Sequence, residues 1–133
     1  MLTHTILIVD DEALIRWSIA QHLMQHGYRV LEAASGAEAR LALTACGGPD
    51  LVLLDLKLPD SDGLVLLEHV RRVRRDCRVI VLSAHATRET ACEALAGGAC
   101  SVVHKPFDLQ ALAALVERTL AGAGPASATR DTA

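Results

Sequence analysis

Five short apolar runs separated by amphipathic stretches constrain this chain more than any other feature: Thr5–Val9, Arg29–Glu32, Leu51–Leu54, Arg78–Leu82 and Ser101–Val103. Each has the length of a strand, and Val and Ile are frequent in them. The first, third and fourth are continuously apolar, the pattern of parallel strands covered on both faces. Between the runs, Ile15, Ile19 and Leu23 recur at helical spacing and leave Arg16, Gln21 and Gln25 outward. Leu66, Val70 and Val73 repeat that period, as do Leu109, Leu112, Val116 and Leu120. Gly27 and Gly97–Gly98 stand at C′ positions, and Asp108 is the expected N-cap of the last helix. Five β-α units follow, giving an α/β fold with a doubly wound, parallel, five-stranded sheet and right-handed crossovers. In such sheets function gathers outside the carboxyl ends of the strands.

A chain of 133 residues suits one core. The expected folded unit is 1–121, and 122–133, rich in Gly, Pro, Ala, Ser and Thr, reads as a flexible linker or C-terminal tail. Trp17, Tyr28 and Phe107 are the only aromatics, so the core is aliphatic and little is offered for stacking bases. A net charge of −3 argues against direct nucleic-acid or anionic-membrane binding. The basic cluster Arg71, Arg72, Arg74, Arg75 and Arg78 reads as a solvated helix end that complements the helix dipole. No stretch approaches the ~20 apolar residues of a membrane span, and Ile6–Val9 is too short for a signal peptide. Cys46, Cys77, Cys92 and Cys100 lack C-x-x-C spacing, so a cytoplasmic protein with reduced, mostly core-filling cysteines is expected.

The strand ends carry the chemistry. Strand one ends in Asp10-Asp11-Glu12, strand three in Asp55, strand four in Ser83, and strand five runs into Lys105-Pro106. Alone, each has an everyday explanation: Asp10 or Asp11 as a helix cap, Ser83 as a turn residue, Lys105 as a solvated lysine. Together on one rim they form a set. Clustered carboxylates raise one another's pKa, and a divalent cation resolves that conflict. Hard oxygen donors suit Mg²⁺. Asp55 is then free to stay ionised and act as a nucleophile toward phosphorus, with Lys105 and Ser83 placed to neutralise phosphoryl oxygens.

The segments "ILIVDDE", "DLVLLDLKLPDSDG", "VIVLSAH" and "HKPFD" resemble the signature segments of response-regulator receiver domains, the CheY-like family. The resemblance spans Thr5 to Leu120. It implies a flavodoxin-like (βα)5 sheet in the order 2-1-3-4-5, an order that belongs to the family and is not read from periodicity. It implies phosphorylation of Asp55, and Mg²⁺ held by Asp11 and Asp55, by Asp10 through water, and by the backbone carbonyl of Lys57. Ser83 matches the switch hydroxyl and Lys105 the motif lysine, with a cis Lys105–Pro106 bond. The implied partners are a sensor histidine kinase or phosphotransfer protein and, on phosphorylation, a second copy as homodimer. "DDEALIRW" and "KPFDL" resemble receivers of the nitrogen-regulator type, which usually continue into an ATPase module and a DNA-binding helix-turn-helix. The chain is then either the receiver part of such a regulator or a standalone receiver. One position departs: receivers commonly carry Tyr or Phe three residues before the motif lysine, where Val102 stands.

Other constellations weigh less. His22 and His26 have the spacing of a helical metal pair but no acidic or sulfur companion, and read as a solvated face. Asp60-Ser61-Asp62-Gly63 reads as a turn and cap, not a calcium loop. His85 and Lys57 are either exposed loop residues or groups that set water access to a phosphoaspartate. Two functions compete with the receiver switch. A phosphohydrolase using Asp55 needs an acid–base group two residues on, where Lys57 stands. A phosphorylation-independent interaction module is suggested by Val102.

Overall fold

The structure is a computed structural model and describes residues 3–85 and 87–122. The strands are β1 (Thr5–Val9), β2 (Arg29–Ala33), β3 (Leu51–Asp55), β4 (Arg78–Ser83) and β5 (Ser101–His104). The helices are α1 (Ala13–Gln25), α2 (Gly36–Leu43), α3 (Gly63–Val73), α4 (Arg88–Ala96) and α5 (Leu109–Ala121), and one turn of 3₁₀ helix covers Ala45–Gly47. The strands are parallel in the order β2-β1-β3-β4-β5, as the resemblance implied. Of the expected linker, 123–133 lies outside the described residues.

Alternation within the strands builds two cores. Leu7, Val9, Val52, Leu54, Val79 and Val81 face α2, α3 and α4, where Leu43, Leu66, Leu67 and Val70 meet them. Ile6, Ile8, Leu51, Leu53, Ile80 and Leu82 face α1 and α5, where Ile19, Leu23, Leu112 and Val116 meet them. These strand residues are wholly shielded from water. Burying each such side chain stabilises the fold by roughly 1.5–3 kcal/mol, before the cost of ordering the chain.

Every strand but the first runs one residue past its apolar run. Asp55 still pairs with Leu82, and Ser83 with His104, because the backbone ladder continues where the side chains turn polar. Asp108 caps α5 by accepting from the Gln110 amide at 2.9 Å. Left-handed glycines shape the turns at the opposite rim, where each helix hands over to the next strand: Gly27 (φ 91°), Gly47 (84°), Gly48 (77°) and Gly98 (108°).

Three side-chain expectations need correction. Arg16 does not point freely outward; its Nη1 donates to the Asp10 carbonyl at 2.6 Å and its Nε to Glu32 at 3.0 Å. The basic cluster is only partly solvated. Arg71 donates to the Cys77 carbonyl at 2.6 Å and Arg78 to the Gly122 carbonyl at 2.8 Å, serving backbone acceptors that the turn geometry leaves over. Val73, at the last turn of α3, is exposed. Among the described cysteines Cys77 and Cys100 fill the core, in line with the expectation for most of them, and Cys92 is exposed on α4.

Candidate functional site

Parallel register brings the strand ends to one rim. Val9 pairs with Leu54, so Asp10 and Asp55, each near the next step along its strand, come side by side. Asp10 is fully buried and Asp55 is 5% exposed. Asp10 Oδ1 accepts from the Glu12 amide at 2.9 Å, and Asp55 Oδ1 from the Lys57 amide at 3.0 Å. Each carboxylate keeps its second oxygen for Lys105, whose Nζ lies 2.8 Å from Asp10 Oδ2 and 3.1 Å from Asp55 Oδ2. A third contact, to Glu12 Oε1 at 3.3 Å, was not foreseen. Glu12 follows Asp10 and Asp11 directly in the chain, and nothing in its spacing shows that it leans toward a lysine 93 residues away.

The electrostatics follow from that crowding. Burial raises the Asp55 pKa above the ordinary aspartate value, and Asp10 adds to the rise. The Lys57 amide and Lys105 pull it back only in part. Burial by itself would lower the Lys105 pKa, but hydrogen bonds and charge from Asp10 and Asp55 outweigh it and leave the ammonium firmly protonated. Oxygens of Asp10, Asp11 and Asp55 all lie within 4.8 Å of one another. Asp10, Asp55 and Glu12 thus share the Lys105 ammonium, and Asp11 adds a fourth carboxylate beside Asp10 and Asp55. An all-oxygen set carrying surplus negative charge suits a hard divalent cation.

Ser83, 6% exposed, accepts from the His85 amide at 3.2 Å, which leaves its hydroxyl proton to give. Lys57, Ser83, His85 and Thr90 border a cleft of about 480 Å³ above Asp55. Thr90 comes from α4 and was missed, since its Oγ1 reads as part of the helix cap with Thr87. Lys57 and His85 are exposed at the cleft mouth. The Lys105–Pro106 bond is cis.

The everyday readings of the acids do not hold for Asp10. Glu12 takes the N-cap position of α1, and no side chain caps it. The Asp60–Gly63 segment is a turn with caps, as expected, but it serves two helices. Asp62 caps α3 through the Leu64 amide at 2.9 Å. Asp60 reaches across to α2. His22 is not fully solvated: its Nε2 is buried without a partner, and its carbonyl pairs with His26 Nδ1 at 2.9 Å. Val102 is partly buried against the α2–α4 core. No described helix is long and apolar enough to cross a membrane.

A doubly wound sheet with buried paired acids, a lysine between them and a hydroxyl at the next strand end defines a phosphoacceptor domain of signalling type. The sequence profile of the response regulator receiver domain matches residues 6–117, and the chain belongs to that family. As a two-component receiver it is a switch that accepts a phosphoryl group on aspartate. It is 38% identical to the DNA-binding transcriptional regulator NtrC of Azospirillum brasilense, over 96% of this chain and 26% of that protein. It is 34% identical to sporulation initiation phosphotransferase F of Bacillus subtilis, over 90% of this chain and 96% of that protein. A CheY-like receiver from Methanospirillum hungatei JF-1 superposes with a TM-score of 0.84 at 33% identity, over 90% of this chain and 95% of the other. The chain spans about a quarter of the length of its NtrC relatives.

Proposed function

We propose that Asp55 is the phosphoacceptor, that Mg²⁺ is held by Asp10, Asp11, Asp55 and the Lys57 carbonyl, and that Ser83 and Lys105 receive the phosphoryl oxygens. The observation that carries this reading is Lys105 Nζ lying on both Asp10 and Asp55 while their oxygens crowd within reach of Asp11. Bound Mg²⁺ supplies positive charge that keeps Asp55 ionised and offsets charge on the phosphoryl group.

The chain's own residues do the rest. A carboxylate oxygen of Asp55 attacks phosphorus, and the P–N bond of a phosphohistidine donor breaks; the imidazole leaves with the electron pair and takes up a proton. The Lys57 amide holds Asp55 Oδ1 in place. Lys105 transfers its hydrogen bond from the consumed carboxylate to a phosphoryl oxygen, and the Ser83 hydroxyl donates to another. The added charge of about −1.5 to −2 draws both inward and biases the loops after β4 and β5. The chain thus promotes its own phosphorylation and dephosphorylation without turning over a separate substrate. A sensor histidine kinase or phosphotransfer protein is the donor. Within a longer regulator the recipient of the signal is an ATPase and DNA-binding module, or a second receiver in a homodimer.

Incubation with Mg²⁺ and acetyl phosphate tests the assignment. The expected product carries one phosphoryl group, is labile to base, and is absent in Asp55→Asn and without Mg²⁺. Rapid turnover of phosphoester substrates points instead to a phosphohydrolase. No adduct at all leaves an interaction module, the reading that Val102 favours because a valine cannot swing a ring between exposed and buried positions.

A further inference from the structure

Asp60 sits outside the acidic pocket, yet it ties the pocket's loop to a helix on the far side of β1. Its Oδ1 accepts from the Gly36 amide at 2.7 Å and its Oδ2 from the Ala37 amide at 3.0 Å. These are free donors in the first turn of α2, where a carboxylate also meets the positive end of the helix dipole. Ser35 and Glu38 handle the neighbouring groups between themselves: Ser35 Oγ accepts from the Glu38 amide, and Glu38 from the Ala34 amide. Asp60 is therefore an added acceptor contributed from a different loop. The approach is close. A Cβ on Gly36 would lie 2.8 Å from Ser61 Cβ and 3.2 Å from Asp60 Oδ1, so only glycine lets the helix end reach the loop.

The contacts close a ring. The Asp10 amide donates to the Ala33 carbonyl at 3.1 Å. From Ala33 the chain runs through Ser35 to Gly36, crosses to Asp60, and returns through Pro59 and Leu58 to Lys57, whose amide donates to Asp55. Asp55 stands beside Asp10 across the β1–β3 ladder. The loop is pinned again at its base, where the Gly63 amide donates to the Leu56 carbonyl at 2.9 Å and Lys57 pairs with Asp62.

We propose that Asp60 is a positioning residue for the acidic pocket: by clamping the Leu56–Gly63 loop to α2 it holds the Lys57 carbonyl where the divalent ion needs it. The inference rests on the assignment of that carbonyl to the ion. Asp60 touches neither ion nor phosphoryl group and acts only through Lys57.

The test is a Mg²⁺ titration of the full chain followed at the Lys57 amide by ¹⁵N NMR. In Asp60→Ala the Gly36 and Ala37 amide resonances shift before any metal is added, and the Mg²⁺ half-saturation concentration rises roughly tenfold, the scale of other outer-shell losses. Asp60→Asn, with one acceptor oxygen left, falls between. Ser35→Ala is the control: it loosens the same helix turn and lowers the melting temperature, but keeps the wild-type half-saturation. An Asp60→Ala protein that binds Mg²⁺ within twofold of wild type overturns the proposal, as does a Ser35→Ala protein weakened equally. A wild-type chain with no Mg²⁺ saturation removes the ion assignment and the proposal together.

Discussion

At Lys105 the ammonium faces Asp10 and Asp55 with only 8% of its side chain exposed, so water screens the attraction poorly. It satisfies two carboxylates at once and still leaves Asp55 reluctant to ionise. That has a measurable sign. A carboxyl whose folded pKa lies above its unfolded value costs stability once pH rises past the unfolded value, about 3.9. Asp55→Asn removes the charge and keeps the shape. Without divalent ions it is therefore more stable than wild type at pH 7 in urea denaturation, and the difference vanishes below about pH 4. A variant no more stable at pH 7 contradicts the strain assigned to Asp55. The residues around Lys105 were legible because strand ends are legible. Glu12 and Asp60 were not, because their partners lie far away in sequence; Thr90 was not, because its pairing with Thr87 reads as an ordinary helix cap.

Elements were read well where burial is two-sided. β1, β3 and β4 announce themselves as unbroken apolar runs; β1 ends where its run does, while β3 and β4 extend one residue further because backbone pairing outlasts apolarity. The surface of α1 was harder. Arg16 lies beside the apolar stripe, and its long side chain folds back onto backbone that sequence cannot locate. At the start of α3, Gly63 shows how an element is seated. A Cβ there would lie 2.6 Å from the Leu56 carbonyl oxygen and closer still to Leu56 Cα. Gly63→Ala must push the helix off the β3–α3 loop, and a loss of about 1–3 kcal/mol is expected in chemical denaturation. A neutral or stabilising result would show that the contact relaxes freely.

The whole molecule is a sheet between two independent cores. Side chains on opposite faces do not touch, so their losses should add. Leu66→Ala lies in the α2–α4 core, and Val116→Ala in the α1–α5 core. The first should cost about 2–5 kcal/mol, and the double variant should equal the sum of the two singles within about 0.5 kcal/mol. A larger discrepancy, measured by urea unfolding, would mean that the sheet transmits strain between its faces. Strand order needed the family resemblance, since periodicity alone says nothing of which strands are neighbours. The two rims have since taken different trades. Acids, hydroxyl and lysine occupy one, while Gly27, Gly47, Gly48 and Gly98 bend the chain at the other. Those bends are natural splice points: peptide grafted there lengthens the molecule at its blunt end and leaves the business end as it was.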